Sequence, residues 1–221
     1  MRMSEATIKE RPPRKNDLDL PYVQRIFARG GLEHTGYIPT QAECAALWDK
    51  YGMLANIRDH SSQVALVVAW LGGQLKAQGV NVNRPLILAG ALLHDLAKTY
   101  TIRHGGSHAQ LGAGWVVQET GNYRLAQMVY HHVHWPWDLD IENEAMLPSL
   151  LVLYADKRVM HDRIVPLEER FEDLMQRYGV NEAARSYVHQ SHEQGLVIEK
   201  ALCKRLGVAV DEYSFDCRRL V

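Results

Sequence analysis

Four residues carry charge or metal affinity where the sequence around them calls for neither: His60, the adjacent pair His94-Asp95, and Asp156. Residues 85–98 read Pro-Leu-Ile-Leu-Ala-Gly-Ala-Leu-Leu-His-Asp-Leu-Ala-Lys. On a helix, their apolar side chains cover every face rather than one stripe, the mark of a buried central helix. Residues 147–159 behave the same way, with Leu147, Leu150, Leu151 and Tyr154 on one side, Val152 and Leu153 on the others, and Asp156 among them. His60 heads a third apolar run, 64–71. A lone buried carboxylate is costly unless it is paired or coordinated. Two carboxylates with histidines in apolar helices therefore point to a shared cation. Imidazole with carboxylate suits Mn, Fe, Zn, Co or Ni, whereas magnesium prefers oxygen ligands alone. With no cysteine in the set, a structural zinc site is not expected.

A His-Asp dipeptide is weak evidence by itself, and the chain holds a second one, His161-Asp162. Its neighbours Lys157, Arg158 and Arg163 are charged, so it reads as a solvated helix end. His94-Asp95 differs because Leu92-Leu93 precede it and Leu96-Ala97 follow it.

The elements that must position these residues read as helices. Thr40 with Glu43 forms a capping box, which predicts a helix from Gln41 to about Tyr51, stopped at Gly52. A long helix is expected over 57–76. Asn83 and Pro85 start another, expected to run to about Lys98. Further helices are expected at 108–120, 122–133, 146–162, 166–178 and 181–206, joined through Asn, Gly and Pro. Residues 21–29 suit a short amphipathic helix closed by Gly30-Gly31. Strand-like alternation is hard to find, so the expected fold is all-α, a compact helical bundle of about seven to nine helices.

The bulk numbers agree with that reading. The 221 residues suit one domain with appended terminal elements, and 47% hydrophobic with 23% charged residues is an ordinary globular balance. A net charge of −1 gives no sign of stable nucleic-acid binding or of a membrane surface. No apolar run reaches the roughly 18–20 residues of a membrane span, and the N-terminus lacks a signal peptide's apolar stretch. Cys44, Cys203 and Cys217 are widely spaced and form no CxxC pair, as expected of free thiols in a reducing compartment. The expected location is cytoplasmic. Residues 1–15 carry Arg2, Lys9, Arg11, Arg14 and Lys15 against Glu5 and Glu10, a basic tail with Pro12-Pro13. Of the eleven histidines, most fall between 60 and 134, which is where a function should be sought.

The order His60, His94-Asp95, Asp156 resembles the H…HD…D signature of the HD superfamily of metal-dependent phosphohydrolases. Leu-Leu-His-Asp-Leu-Ala-Lys at 92–98 is similar to that superfamily's LLHDIGK block, and Tyr-Ala-Asp-Lys at 154–157 to its YADK block. Residues 39–70, with Tyr51-Gly52 and Arg-Asp-His-Ser at 58–61, resemble the entry into small bacterial HDIG-type domains. The resemblance covers residues 39–165. With the helix pattern on either side, the expected organisation is an N-terminal tail and short helix (1–38), an HD core (39–165), C-terminal helices packing on the core (166–206) and a tail (207–221). Leu96-Ala97 replaces the Ile-Gly of the HDIG name. No GYP motif follows the histidine-rich segment, which sets the chain apart from cyclic-di-GMP phosphodiesterases of the HD-GYP type.

The resemblance implies hydrolysis of a phosphate ester or anhydride, nucleotides among the candidates, by metal-activated water, with one or two divalent transition metals (Fe, Mn, Co, Ni or Zn). Some members hold two metals, and here His108 matches one added ligand while His131 or His132 matches another. His131 is favoured, because Tyr130-His131 resembles the Tyr-His before the polar loop in related domains. Asp95 would then bridge the ions and be central to catalysis. Lys98 lies four residues after His94 and three after Asp95, on one helical face, where its ammonium would stabilise charge developing on phosphate. Arg103, His132, Lys157 and Arg158 are further candidates for contact with a small phosphorylated substrate. Trp135 and Trp137 near Pro136, with His104 and His134, read as packing or surface residues. A homodimer is left open. A non-catalytic nucleotide-sensing module and a di-iron oxygenase of the same superfamily stand as alternatives.

Overall fold

The computed structural model describes residues 36–207. The expectations for the basic N-terminal tail, the helix at 21–29 and the tail beyond Gly207 lie outside the described residues. Within them the chain folds into nine helices and one two-stranded hairpin: α1 (Gln41–Lys50), α2 (Ala55–Ala77), α3 (Arg84–Leu93), α4 (Lys98–His104), α5 (His108–Thr120), α6 (Tyr123–His131), α7 (Leu147–Lys157), β1 (Val159–Met160), β2 (Arg163–Ile164), α8 (Leu167–Tyr178) and α9 (Glu182–Leu206). The fold is all-α, as expected.

Local chemistry sets the helix starts. The Thr40 hydroxyl accepts from the Glu43 amide, and the Glu43 carboxylate accepts from the Thr40 amide at 2.7 Å, completing the capping box. Asn83, Ser107, Asn122 and Asn181 each cap the next helix with a side-chain oxygen. Helix α3 lies at the centre, packed against α1, α2, α6 and α7. That position explains why its residues are apolar all round, with Leu86, Ile87, Ala89, Ala91, Leu92 and Leu93 all buried. At Gly90 a Cβ would meet the Met128 sulfur at 2.9 Å, so glycine is what lets α3 and α6 approach this closely. Helix α7 is similarly enclosed, with Leu150 to Ala155 fully buried.

Two expected helices end early, and both ends matter to the site. Helix α3 stops at Leu93 rather than continuing to Lys98. The His94 ring donates from Nδ1 to the Ala91 carbonyl at 2.7 Å, and the backbone closes instead on the shorter bonds Leu96 N–Leu93 O and Lys98 N–Asp95 O. Helix α7 ends at Lys157 rather than 162. The hairpin follows, pairing Val159 with Ile164 and Met160 with Arg163, and His161 turns it at a positive φ of 57°. His161-Asp162 is therefore a hairpin tip and not a helix end. Arg158, 1% exposed, ties α7 to the hairpin and α9: it donates to the Val165 carbonyl, the Tyr154 hydroxyl and Glu199. That network makes it structural, against the expectation of a phosphate contact. Among the described residues, no helix is long and apolar enough to cross a membrane.

Candidate metal centre

The four signature residues converge from α2 (His60), the turn after α3 (His94, Asp95) and α7 (Asp156). His60 Nε2 lies 2.9 Å from Asp156 Oδ1, His94 Nε2 lies 3.6 Å from the same oxygen and 3.4 Å from Asp95 Oδ2, and His60 Nε2 is 4.0 Å from Asp95 Oδ2. On the other side of Asp95, its Oδ1 faces His108 Nε2 at 3.3 Å and His132 Nε2 at 3.6 Å. The two imidazole nitrogens are 3.1 Å apart. Asp95 thus turns one carboxylate oxygen to each of two histidine groups.

The histidine at the second group is His132, a correction to the expectation of His131. His132 donates from Nδ1 to the Val129 carbonyl at 2.6 Å, which aims Nε2 at Asp95. His131, one residue earlier on α6, turns away into an aromatic cluster, with ring centroids 5.2 Å from Trp135 and 5.0 Å from Trp137. Trp135 is itself 1% exposed and packs in the interior. His104 is exposed against Tyr100, and His134 lies beside Tyr187. Arg103 is exposed on α4 and does not line the site cavity.

Three of the four converging histidines share one orienting device. His60 donates from Nδ1 to the His161 carbonyl at 3.1 Å, His94 to Ala91 and His132 to Val129. A backbone carbonyl can only accept, so each Nδ1 carries a proton and each Nε2 is left to face the centre, as an N–H donor to the carboxylates or, once deprotonated, as a ligand. Nitrogens facing carboxylate oxygens call for positive charge between them, which a proton or a metal ion can supply. Two buried atoms there, His94 Nε2 and Asp95 Oδ1, have no hydrogen-bond partner among the described residues.

Electrostatics describe the same demand. Burial alone would lower the His94 pKa, but Asp95 and Asp156 outweigh it and push it up to about 10. Burial would raise both carboxylates, yet Lys98, His94 and His132 hold Asp95 well below its ordinary range, and His60 and His94 do so for Asp156. His108 is driven down to about 4, chiefly by burial, which leaves it neutral and fit to ligate. Burial also pushes Lys157 down to about 8.

The donor set fits metal ions. His60, His94 and Asp156 form one group able to hold an ion, and His94, Asp95 and His132 a second. Ligands about 2.1 Å from a metal are separated by about 3.0 Å at octahedral and about 3.4 Å at tetrahedral edges. The donor separations of 2.9–3.6 Å within these groups are of that size. Lys98 Nζ sits 2.6 Å from Asp95 Oδ2, so the early end of α3 does not take it from the centre.

The centre opens into a cavity of about 370 Å³. Lys98, His108, His132 and Asp156 line its floor, with Lys157 and Arg170 beside them. Phe171, Leu174, Tyr178 and Tyr187 from α8 and α9 form an apolar wall. Nothing in the sequence singled out Arg170: within Glu-Glu-Arg-Phe-Glu-Asp it reads as one charge on an amphipathic surface helix. A protein-family model described as the HD domain matches residues 57–192, more than half of the chain and extending into α9. No solved structure matches the chain significantly.

Proposed function

This chain belongs to the HD domain family, and on that premise we propose that it is a metal-dependent phosphohydrolase acting on a phosphate ester or anhydride, with a nucleotide as the phosphorylated compound. One observation carries the reading: the buried Asp95 carboxylate stands between two histidine groups, and His108, His132 and Asp156 around it open on a cavity also lined by cationic side chains. His60, His94, Asp95 and Asp156 would hold one divalent ion, and Asp95, His108 and His132 a second. Divalent ions, when bound, supply a water acidic enough to act as nucleophile near neutral pH and offset charge on phosphate oxygens.

The protein's own groups do the rest. The backbone carbonyls of His161, Ala91 and Val129 fix three imidazoles in the tautomer that presents Nε2. Lys98 keeps its proton because the pull of Asp95 outweighs burial, so its ammonium is available to a phosphoryl group on the cavity floor. The apolar wall from α8 and α9 limits water within the cavity. A cytoplasmic location goes with this reading, consistent with Cys44 being a buried free thiol.

The test is elemental analysis of gently purified protein, followed by a phosphate-release screen with that metal restored. Metal-dependent release of phosphate supports the proposal. Tight nucleotide binding without hydrolysis under Mn, Fe, Co or Ni would replace it with a sensing module. Oxygen uptake with ferrous iron and an organic substrate would replace it with an oxygenase.

A further inference from the structure

The cavity contains more positive charge than the reacting phosphoryl group requires. Lys98, Lys157 and Arg170 line it against a single lining carboxylate, Asp156, whose charge is already committed to His60 and His94. Like charges gathered in a partly desolvated space are unfavourable unless an anion joins them.

Arg170 is the least satisfied of the three. Its side chain is nine-tenths buried, and its Nε has no hydrogen-bond partner among the described residues. Nη1 reaches Asp173 Oδ2 at 3.2 Å, its only ion-pair partner there, and Arg177 donates to the same oxygen. One carboxylate thus serves two guanidiniums, leaving the Arg170 fork with unused donors beside the cavity. Lys157, 3% exposed, makes one hydrogen bond, to the Val133 carbonyl at 3.2 Å.

Arg170 comes from outside the elements that carry the ligand residues. It projects from α8, an element that carries none of the ligand residues, and neither Asp95 nor Asp156 lies within ion-pair distance of it. Lys98, by contrast, pairs with Asp95 itself. A planar guanidinium with free donors suits two phosphate oxygens at once. The neighbouring Phe171, Tyr178 and Tyr187 suit an aromatic group on the same molecule.

We propose that Arg170, supported by Lys157, forms a second anion subsite, so that the preferred substrate carries at least two linked phosphoryl groups and an aromatic base, as a nucleoside diphosphate does. This rests on the phosphohydrolase reading for the identity of the reacting end, but its test is binding rather than turnover.

The zinc-loaded full chain is titrated by calorimetry at low temperature with AMP and with non-hydrolysable α,β-methylene ADP, free zinc being held constant. The wild type should bind the diphosphate analogue more tightly. Arg170→Gln should remove roughly 10- to 100-fold of that affinity, the range for a hydrogen bond to a charged group, with AMP affinity and zinc content unchanged. Equal wild-type affinities, or equal losses for both compounds in the variant, would overturn the subsite. Should Arg170→Gln fail to fold, the side-chain Nε–H resonance of Arg170 in wild-type protein serves instead, assigned from Arg170→Lys. It should shift with the diphosphate analogue and stay in place with AMP; an unmoved signal with both overturns the proposal. A chain that hydrolyses nothing yet shows the Arg170-dependent preference would refute the catalytic reading while leaving the subsite standing.

Discussion

His60 takes its orientation from His161: the Nδ1 of the first lies 3.1 Å from the backbone carbonyl of the second, at the tip of the β1–β2 hairpin. The hairpin therefore acts on the metal centre through its backbone, while the His161 side chain itself is exposed. Removing that side chain while keeping the turn should cost little. His161→Gly suits the positive φ and retains the carbonyl, so metal affinity should stay near wild type. His161→Val places a β-branched residue in a conformation it disfavours, loosening the carbonyl's hold on His60. Metal affinity should then fall about 10- to 100-fold, the usual effect of losing an outer-shell partner. Chelator competition on both variants checks this; equal losses would mean that the ring, and not the carbonyl, matters.

Asp95 is the residue shared between the two histidine groups, one oxygen to each. Asp95→Asn keeps the shape, removes the anion and leaves Lys98 without its ion-pair partner. Metal content should fall at both groups and phosphohydrolase activity should drop to background. Elemental analysis beside a phosphate-release assay reads both. Retention of the full metal complement would show that Asp95 is no bridge.

His131 and His132 are one residue apart and should respond oppositely. His132→Ala removes a donor facing Asp95, so the second ion should be lost and the first kept. His131→Ala removes a ring packed against Trp135 and Trp137, so metal content should hold while stability falls by about 0.5–3 kcal/mol. Metal counting and denaturant titration on the pair distinguish the outcomes, and loss of metal in the His131 variant would reverse the assignment.

Why that choice was not legible is a matter of helix phase. Successive residues on α6 point about 100° apart, and which one faces Asp95 depends on the rotation of the whole helix against α3. That rotation is fixed by packing such as Met128 against Gly90, a contact between residues far apart in sequence. Resemblance of Tyr130-His131 to other domains could not supply it. The hairpin escaped for a different reason: two-residue strands are too short to show alternation. The all-round apolar helices α3 and α7 were legible because nothing except burial explains such a pattern, and the charges within them stood out for the same reason. Arg170 did not stand out because its own helix is charged, and only the cavity gives its guanidinium meaning.

Lys98 was expected on a continuous helix with His94 and Asp95; instead a tight turn at 94–97 intervenes, yet its ammonium still reaches Asp95 at 2.6 Å. The turn keeps the three-residue spacing between the two while ending the helix, which lets Lys98 open α4 and line the cavity floor. An ammonium cannot ligate a cation, so Lys98→Ala should leave metal content nearly intact. If the ammonium meets charge that develops on the phosphoryl oxygens, turnover should fall by about 10²–10³, the range for one transition-state donor, with a smaller effect on KM. Lys98→Arg restores the charge and should recover part of that loss, which a merely structural lysine would not require. Steady-state kinetics on metal-loaded wild type and both variants, with the most rapidly hydrolysed phosphate compound from the screen, give the comparison. Full turnover in the alanine variant would reduce Lys98 to a partner of Asp95 and move the burden of charge stabilisation to the metal ions alone.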